Sequence, residues 1–121
     1  MYARKFFDND NLDKLSAIST QLKDVHDKAL ELKNSRREIQ GANTNQVKRY
    51  KLMQKSLHYI LHFIPTNYDN LTEQLNCAMK LLSDCIQNKK PTNDETFHNF
   101  EGYIYSAARV TKKELEDIKG L

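Results

Sequence analysis

Apolar residues recur along this chain at alternating intervals of three and four. From Leu15 the first series runs through Ile18, Leu22, Val25, Ala29 and Leu32, skips Arg36 and resumes at Ile39. That spacing is the seam of an amphipathic helix with a heptad repeat. Asn9 or Asp10 can cap its start, and Asp13 sits in the first turn, where a negative charge suits the positive end of the helix dipole. Gly41 is a natural stop, so the pattern predicts a helix over roughly 10–40.

After a polar, turn-rich stretch over 40–45, a second face appears in Val47, Tyr50, Met53, Leu57, Ile60, Leu61 and Ile64, and Pro65 ends it. A third stripe comprises Leu71, Leu75, Ala78, Leu81, Leu82, Cys85 and Ile86, closed by Lys89-Lys90-Pro91. The fourth opens on Thr92-Asn93-Asp94-Glu95, which has the form of a Thr-x-x-Glu capping box. Its inner face is Phe97, Phe100, Ile104, Ala107, Ala108, Thr111, Leu115 and Ile118. These faces predict helices over roughly 45–64, 67–88 and 93–119. No stretch alternates with period two for long, so strands are not expected.

Four amphipathic helices with short connections predict an all-α fold in a single domain, 1–121. The expected form is an up-down-up-down four-helix bundle, or a similar helical bundle, with a long first helix. Leu12 to Ile39 would span about 42 Å at about 1.5 Å per residue, whereas Val47 to Ile64 reaches only about 27 Å. Either the first helix bends or frays after Leu32, where apolar positions thin out, or something covers the overhang. A homodimer built on that helix, or on an outer Tyr59 and Phe63 surface, is one such cover. Leu52, Tyr59 and Phe63 lie off the main inner face of the second helix and make a second candidate surface, with Phe63 and Tyr103 otherwise expected in the core and Tyr59 and Tyr105 left open.

Composition removes whole classes. Among 121 residues Gly and Pro together number five and Cys two, which excludes collagen-like, linker-like and disulfide-scaffold chains. No apolar run approaches the roughly 18 residues of a membrane span, and the first ten residues carry charge without the apolar core of a secretory leader. A cytoplasmic protein with no membrane contact is the expectation.

Little in the chain points to catalysis. The pair His58 and His62 falls on the side of the second helix that also carries Lys51 and Lys55, away from the apolar face, and no Glu-x-x-His occurs. No metal site and no cofactor are therefore expected. Cys77 and Cys85 stand about 12 Å apart along one helix, beyond disulfide reach, and neither has a local base to activate it. Gly-rich phosphate loops, nucleophile elbows and paired zinc cysteines are absent from the sequence. The expectation is a protein that is not an enzyme.

Charge distribution is more telling than the net +3. Between Lys33 and Lys55 the cations Lys33, Arg36, Arg37, Lys48, Arg49, Lys51 and Lys55 face the single acid Glu38. In an up-down bundle Lys89 and Lys90 would join them at one pole. Lys33, Arg36 and Arg37 suit the negative end of the first helix, but Lys48 and Arg49 oppose the dipole of the second, where free N–H groups attract anions. The binding candidates are therefore Arg36, Arg37, Lys48, Arg49, Lys51 and Lys55, with Tyr59 and Tyr105 as aromatic anchors.

In architecture alone the chain resembles bacteriocin immunity proteins, secretion chaperones, phage-encoded inhibitors and the helical small subunits of RNA-guided complexes. High Lys and Asn usage fits an AT-rich bacterial source or its phages and plasmids. Two function classes follow. The first is a protein-binding adapter, inhibitor or immunity-type factor, its partner an acidic protein. The second is a nucleic-acid-associated small subunit whose basic pole contacts phosphate backbone.

Overall fold

Each of the four apolar series coils into a helix because its buried positions return to one face every three or four residues. The structure, a computed structural model, describes residues 2–34, 44–65 and 68–119, with side chains over 12–34, 44–65 and 68–117. Across these residues there are four α-helices and no strand: α1 (Tyr2–Lys33), α2 (Thr44–Phe63), α3 (Asp69–Gln87) and α4 (Glu95–Lys119). Helix α1 packs on α2 and α4, and α3 packs on α2 and α4, with no diagonal pair, so the helices stand in ring order. Their directions alternate. Lys33 near the end of α1 meets Glu101 near the start of α4, and Tyr50 in the first half of α2 bonds the Lys90 carbonyl just past the end of α3. The chain is thus an up-down-up-down four-helix bundle whose first helix, at 32 residues, is the longest.

The apolar faces read from the chain meet in one core. Leu15, Ile18, Leu22 and Val25 from α1, Leu57 and Ile60 from α2, Leu71, Leu75 and Leu82 from α3, and Phe97, Phe100 and Ile104 from α4 are buried together. Each such side chain contributes about 1.5–3 kcal/mol by leaving water. Thr111 holds a core position because its hydroxyl donates to the Ala107 carbonyl one turn back, 2.8 Å away.

Helix boundaries depart from the periodic reading in three places. Helix α1 begins at Tyr2 with no acid in its first turn, so Asn9, Asp10 and Asp13 lie inside the helix instead of capping it. No Gly or Pro precedes Gly41, so nothing in the backbone forces a later start. At its other end α1 stops at Lys33, with the Asn34 N–H donating to the Leu30 carbonyl at 2.9 Å. The expected continuation through Ile39 to Gly41 lies outside the described residues. The extra length of α1 is therefore on its N-terminal side, where the helix runs about 48 Å against about 30 Å for α2. Helix α3 starts at Asp69, with Tyr68 at the cap position and no side-chain cap bond.

The third departure is the cap of α4. Asp94, not Thr92, is the capping residue: its carboxylate accepts the Thr96 N–H at 2.8 Å and its carbonyl accepts the His98 N–H at 3.1 Å. Thr92 is buried and turns away, its hydroxyl 3.5 Å from the Leu32 carbonyl, one of the orphan acceptors at the end of α1. Between α3 and α4 the chain makes a Schellman turn. The N–H of Lys90 reaches the Cys85 carbonyl (2.9 Å) and that of Lys89 the Ile86 carbonyl (3.4 Å), with Lys89 in the left-handed region at φ 49°. Tyr50 then locks this turn to α2, its hydroxyl donating to the Lys90 carbonyl at 2.9 Å while its ring stacks on Phe97.

Two aromatics expected in the core are not there: Phe63 is 41% exposed and Tyr103 39%. Each adjoins the buried face without belonging to it. Phe63 ends α2 three residues after Ile60, and Tyr103 precedes Ile104 by one position, about 100° round the helix.

The Asp94 cap makes a prediction with a sign. Hydrogen bonds from Thr96, the backbone one foremost, hold the Asp94 carboxyl below its ordinary value. A pKa lowered by folding contributes stability that is complete above the unfolded Asp range and is lost as pH falls through the folded value. Asp94→Ala should therefore cost about 1 kcal/mol at pH 7. That deficit should shrink steadily in acid, as read by urea denaturation of both proteins across the acidic range.

Candidate functional site

Helix α2 alone among the four carries no carboxylate. Its Gln46, Tyr50, Met53, Leu57 and Ile60 face the interior. At 100° per residue, Lys48, Lys51, Lys55, His58 and His62 fall opposite that buried face, and all five are exposed. Between these cations and the α1 seam runs a second stripe. Leu52, Ser56, Tyr59 and Phe63, at spacings of four, three and four, lie within about 60° of arc. Leu52 is 64% exposed and Tyr59 53%, and the rings of Tyr59 and Phe63 sit 4.8 Å apart between centroids.

This stripe borders the groove between α1 and α2, the least extensive of the four helix seams. Two depressions open along it. The larger, about 330 Å³, has Val25, Leu32, Met53 and Leu52 as its apolar lining, with Lys28, Glu31, Arg49 and Ser56 at its rim. The smaller, about 120 Å³, lies nearer the end of α2, among Ala17, Ile18, Gln21, Tyr59, Ile60 and Phe63. The groove is thus apolar along its floor and on its α2 lip, and cationic beyond that lip.

The residues singled out from the sequence divide in the structure. Arg36 and Arg37 lie outside the described residues. Lys48, Lys51 and Lys55 are exposed on α2, and no ion pair among the described residues involves them. Arg49 stands 3.9 Å from Glu31 across the seam, a solvent-exposed pair contributing at most about 1 kcal/mol. Tyr59 belongs to the groove. Tyr105 does not: its ring is 5.6 Å from His26 and 5.8 Å from the Arg109 guanidinium carbon, at the α1–α4 seam on the other side of α1.

The first half of α2 and the turn after α3 lie together, as the Tyr50 bond to the Lys90 carbonyl shows, while residues 35–43 of the expected basic pole lie outside the described residues. Several of the cations there are matched by acids. Lys90 pairs with Asp84 at 3.2 Å, which holds its pKa above the usual lysine value, and Lys33 pairs with Glu101 at 3.0 Å. On α2, by contrast, Lys48, Lys51 and Lys55 have no carboxylate partner among the described residues.

The sequence already sets Leu52, Tyr59 and Phe63 off the inner face of the second helix, but Leu52 is not among the binding candidates and Phe63 is favoured as core, whereas all three are exposed. Sequence reasoning also missed the polar cluster at the α1–α4 seam, where Glu101 bonds Lys33 and stands 4.0 Å from His26, with His98 3.4 Å from the Lys33 ammonium. Those partners are brought together only by the fold.

Cys85 is fully buried and Cys77 half-buried on the flank of α3, and both are free thiols. Burial foremost, with Asp84 and Asp94 nearby, pushes the Cys85 thiol up to about 12. Among the described residues no three His, Cys, Asp or Glu side chains gather as a metal-binding group, and no described helix is long and apolar enough to cross a membrane. The chain matches no protein-family model, no curated protein and no solved structure.

Two measurements follow from this geometry. Iodoacetamide should alkylate Cys77 in the native protein and reach Cys85 only in denaturant, because the thiolate is the nucleophile and Cys85 holds its proton. Mass spectrometry of the two cysteine peptides reads this directly. Exchanging Leu52, Tyr59 or Phe63 singly for Ser should change stability by no more than about 1 kcal/mol. Leu57→Ala, one residue from His58 but in the core, should cost about 2–5 kcal/mol in the same denaturation assay.

Proposed function

We propose that this chain is a binding protein without chemistry of its own, an adapter, inhibitor or immunity-type factor that docks another protein on its α1–α2 face in the cytoplasm of a bacterium, a phage-infected one included. One observation carries the reading: Leu52, Tyr59 and Phe63 stand side by side in solvent beside two depressions. Isolated apolar residues on a surface are ordinary, whereas a contiguous stripe along a cleft is what an interface presents before its partner arrives. Tyr and Phe supply large contact area at low entropic cost, which suits anchors at the centre of a contact.

A second reading draws on the cations of α2. Lys48, Lys51 and Lys55 without a carboxylate on their helix fit the phosphate backbone of a nucleic acid, as in a small subunit that contacts backbone without reading bases. The readings separate in one experiment. The immobilised chain is exposed to extract from its native cell with and without nuclease, beside a Leu52→Asp, Phe63→Asp double variant. A protein-docking role predicts a captured protein that survives nuclease and is lost, by tenfold or more, on the double variant. Capture that vanishes with nuclease, falls steeply with salt and ignores the double variant supports the phosphate reading and ends the first.

A further inference from the structure

The α1–α2 groove has the length and the lining to meet one more helix. From Leu52 to Phe63 the apolar lip runs eleven residues, about 16 Å, or three turns. Its anchors recur at the spacing with which a packed helix offers its own ridges, and the two depressions lie along the same line. The two walls differ in charge. On α1, Asp24 and Lys28 are already paired at 3.1 Å and Glu31 faces Arg49, so that wall is balanced. The α2 wall carries Lys48 and Lys55 with His62 beside them and no acid. A helix seated in the groove therefore meets apolar surface below and positive charge along one flank.

We infer that the α1–α2 groove seats an amphipathic helix with an acidic flank, supplied by a partner protein, as a fifth helix against the bundle. This rests on the protein-docking reading above and adds the partner's chemistry. Charge complementarity selects this occupant. A second copy docked α2 to α2 would oppose lysine with lysine in a chain already at +3, and like charges across an interface are costly. A phosphate backbone would answer the lysines but leave Leu52 and Phe63 in water.

The test uses hydrocarbon-stapled peptides, helical and monomeric, with leucine on one heptad face. One carries glutamate on its flanks, a second lysine, and a third keeps the glutamates but has serine for leucine. An oligo-thymidine strand is the polyanion control. Amide shifts and fluorescence anisotropy follow each titration of the intact protein. The glutamate-flanked leucine peptide should shift amides in 17–31 of α1 and 49–63 of α2 and bind at least about tenfold more tightly than the lysine-flanked one. Lys48→Glu, Lys51→Glu, Lys55→Glu should reverse that order, and Leu52→Asp should abolish binding of both peptides with the circular dichroism spectrum unchanged. Binding of the serine peptide or of oligo-thymidine as tightly as the leucine peptide would overturn the inference, since the surface would then answer to negative charge alone. So would self-association mapped to the same amides, which makes the occupant a second copy. Capture from extract that depends on Leu52 and Phe63 while no peptide binds leaves the docking surface and ends the acidic helix; capture that ignores both substitutions ends both.

Discussion

Tyr50 holds one end of the bundle together, because its ring and its hydroxyl serve different elements. The ring stacks on Phe97 of α4, which packs in turn on Phe100, while the hydroxyl donates to the Lys90 carbonyl in the turn after α3. A buried phenol without a partner would cost a few kcal/mol, so the turn must present that carbonyl. The Schellman turn at Lys89 does so, and it also delivers Thr92 to the last carbonyls of α1 and Asp94 to the first N–H groups of α4. Contacts from all four helices thus converge at one end, and the extra length of α1 lies toward its N-terminus at the other.

The α1 seams on its two neighbours are closed by different physics. Toward α4, side chains of opposite charge interlock, with Glu101 mostly covered and held by Lys33 near His26 and His98. Such a seam is specific to this pair, because another helix packed there without Lys33 would cover the Glu101 carboxylate without its cation. Toward α2 the contact is apolar and incomplete: Val25, Leu32 and Met53 are buried yet still border an open depression, and the exposed Arg49–Glu31 pair spans its rim. Apolar contact is non-directional, so a third apolar surface can be added there without breaking a hydrogen bond.

How much of this was legible follows the range of the signal. The helices, their core residues and the alternating topology came from local periodicity, which the backbone obeys wherever Gly and Pro do not intervene. Asp94 was one of the four residues of the capping segment, but the Thr-x-x-Glu pattern pointed to Thr92, and only the tertiary placement of Thr92 beside α1 freed Asp94 to cap. The start of α1 was misread for a related reason, since Asn9 and Asp10 are good caps only where a helix has cause to begin. In the candidate site, the cations of α2 and Tyr59 were visible from composition and spacing. Leu52 and Phe63 were legible beside Tyr59 as a line off the inner face, but assigning them to surface needed the position of α1, because whether a flanking apolar residue is core or surface depends on which neighbour lies beside it. The separation of Tyr105 from Tyr59 was likewise a tertiary fact.

Stability gives no reason for the charge pattern of α2. Lys48 and Arg49 lie in its second turn, past the first turn where the dipole acts most strongly, so each costs at most roughly 0.3 kcal/mol instead of contributing. Glutamate at either position would favour the dipole, and acids interspersed among Lys51 and Lys55 would add i,i+4 pairs of a few tenths of a kcal/mol each. The chain does use acids this way elsewhere, with Asp24 four residues before Lys28 on α1 and Asp69 and Glu95 in the first turns of α3 and α4. Only α2 forgoes them, and α2 is also the helix that leaves a line of apolar side chains in solvent. Two departures from what folding favours, on one helix and on adjoining faces, are what the proposed partner would answer, with a surface apolar where it meets Leu52, Tyr59 and Phe63 and negative where it meets the lysines.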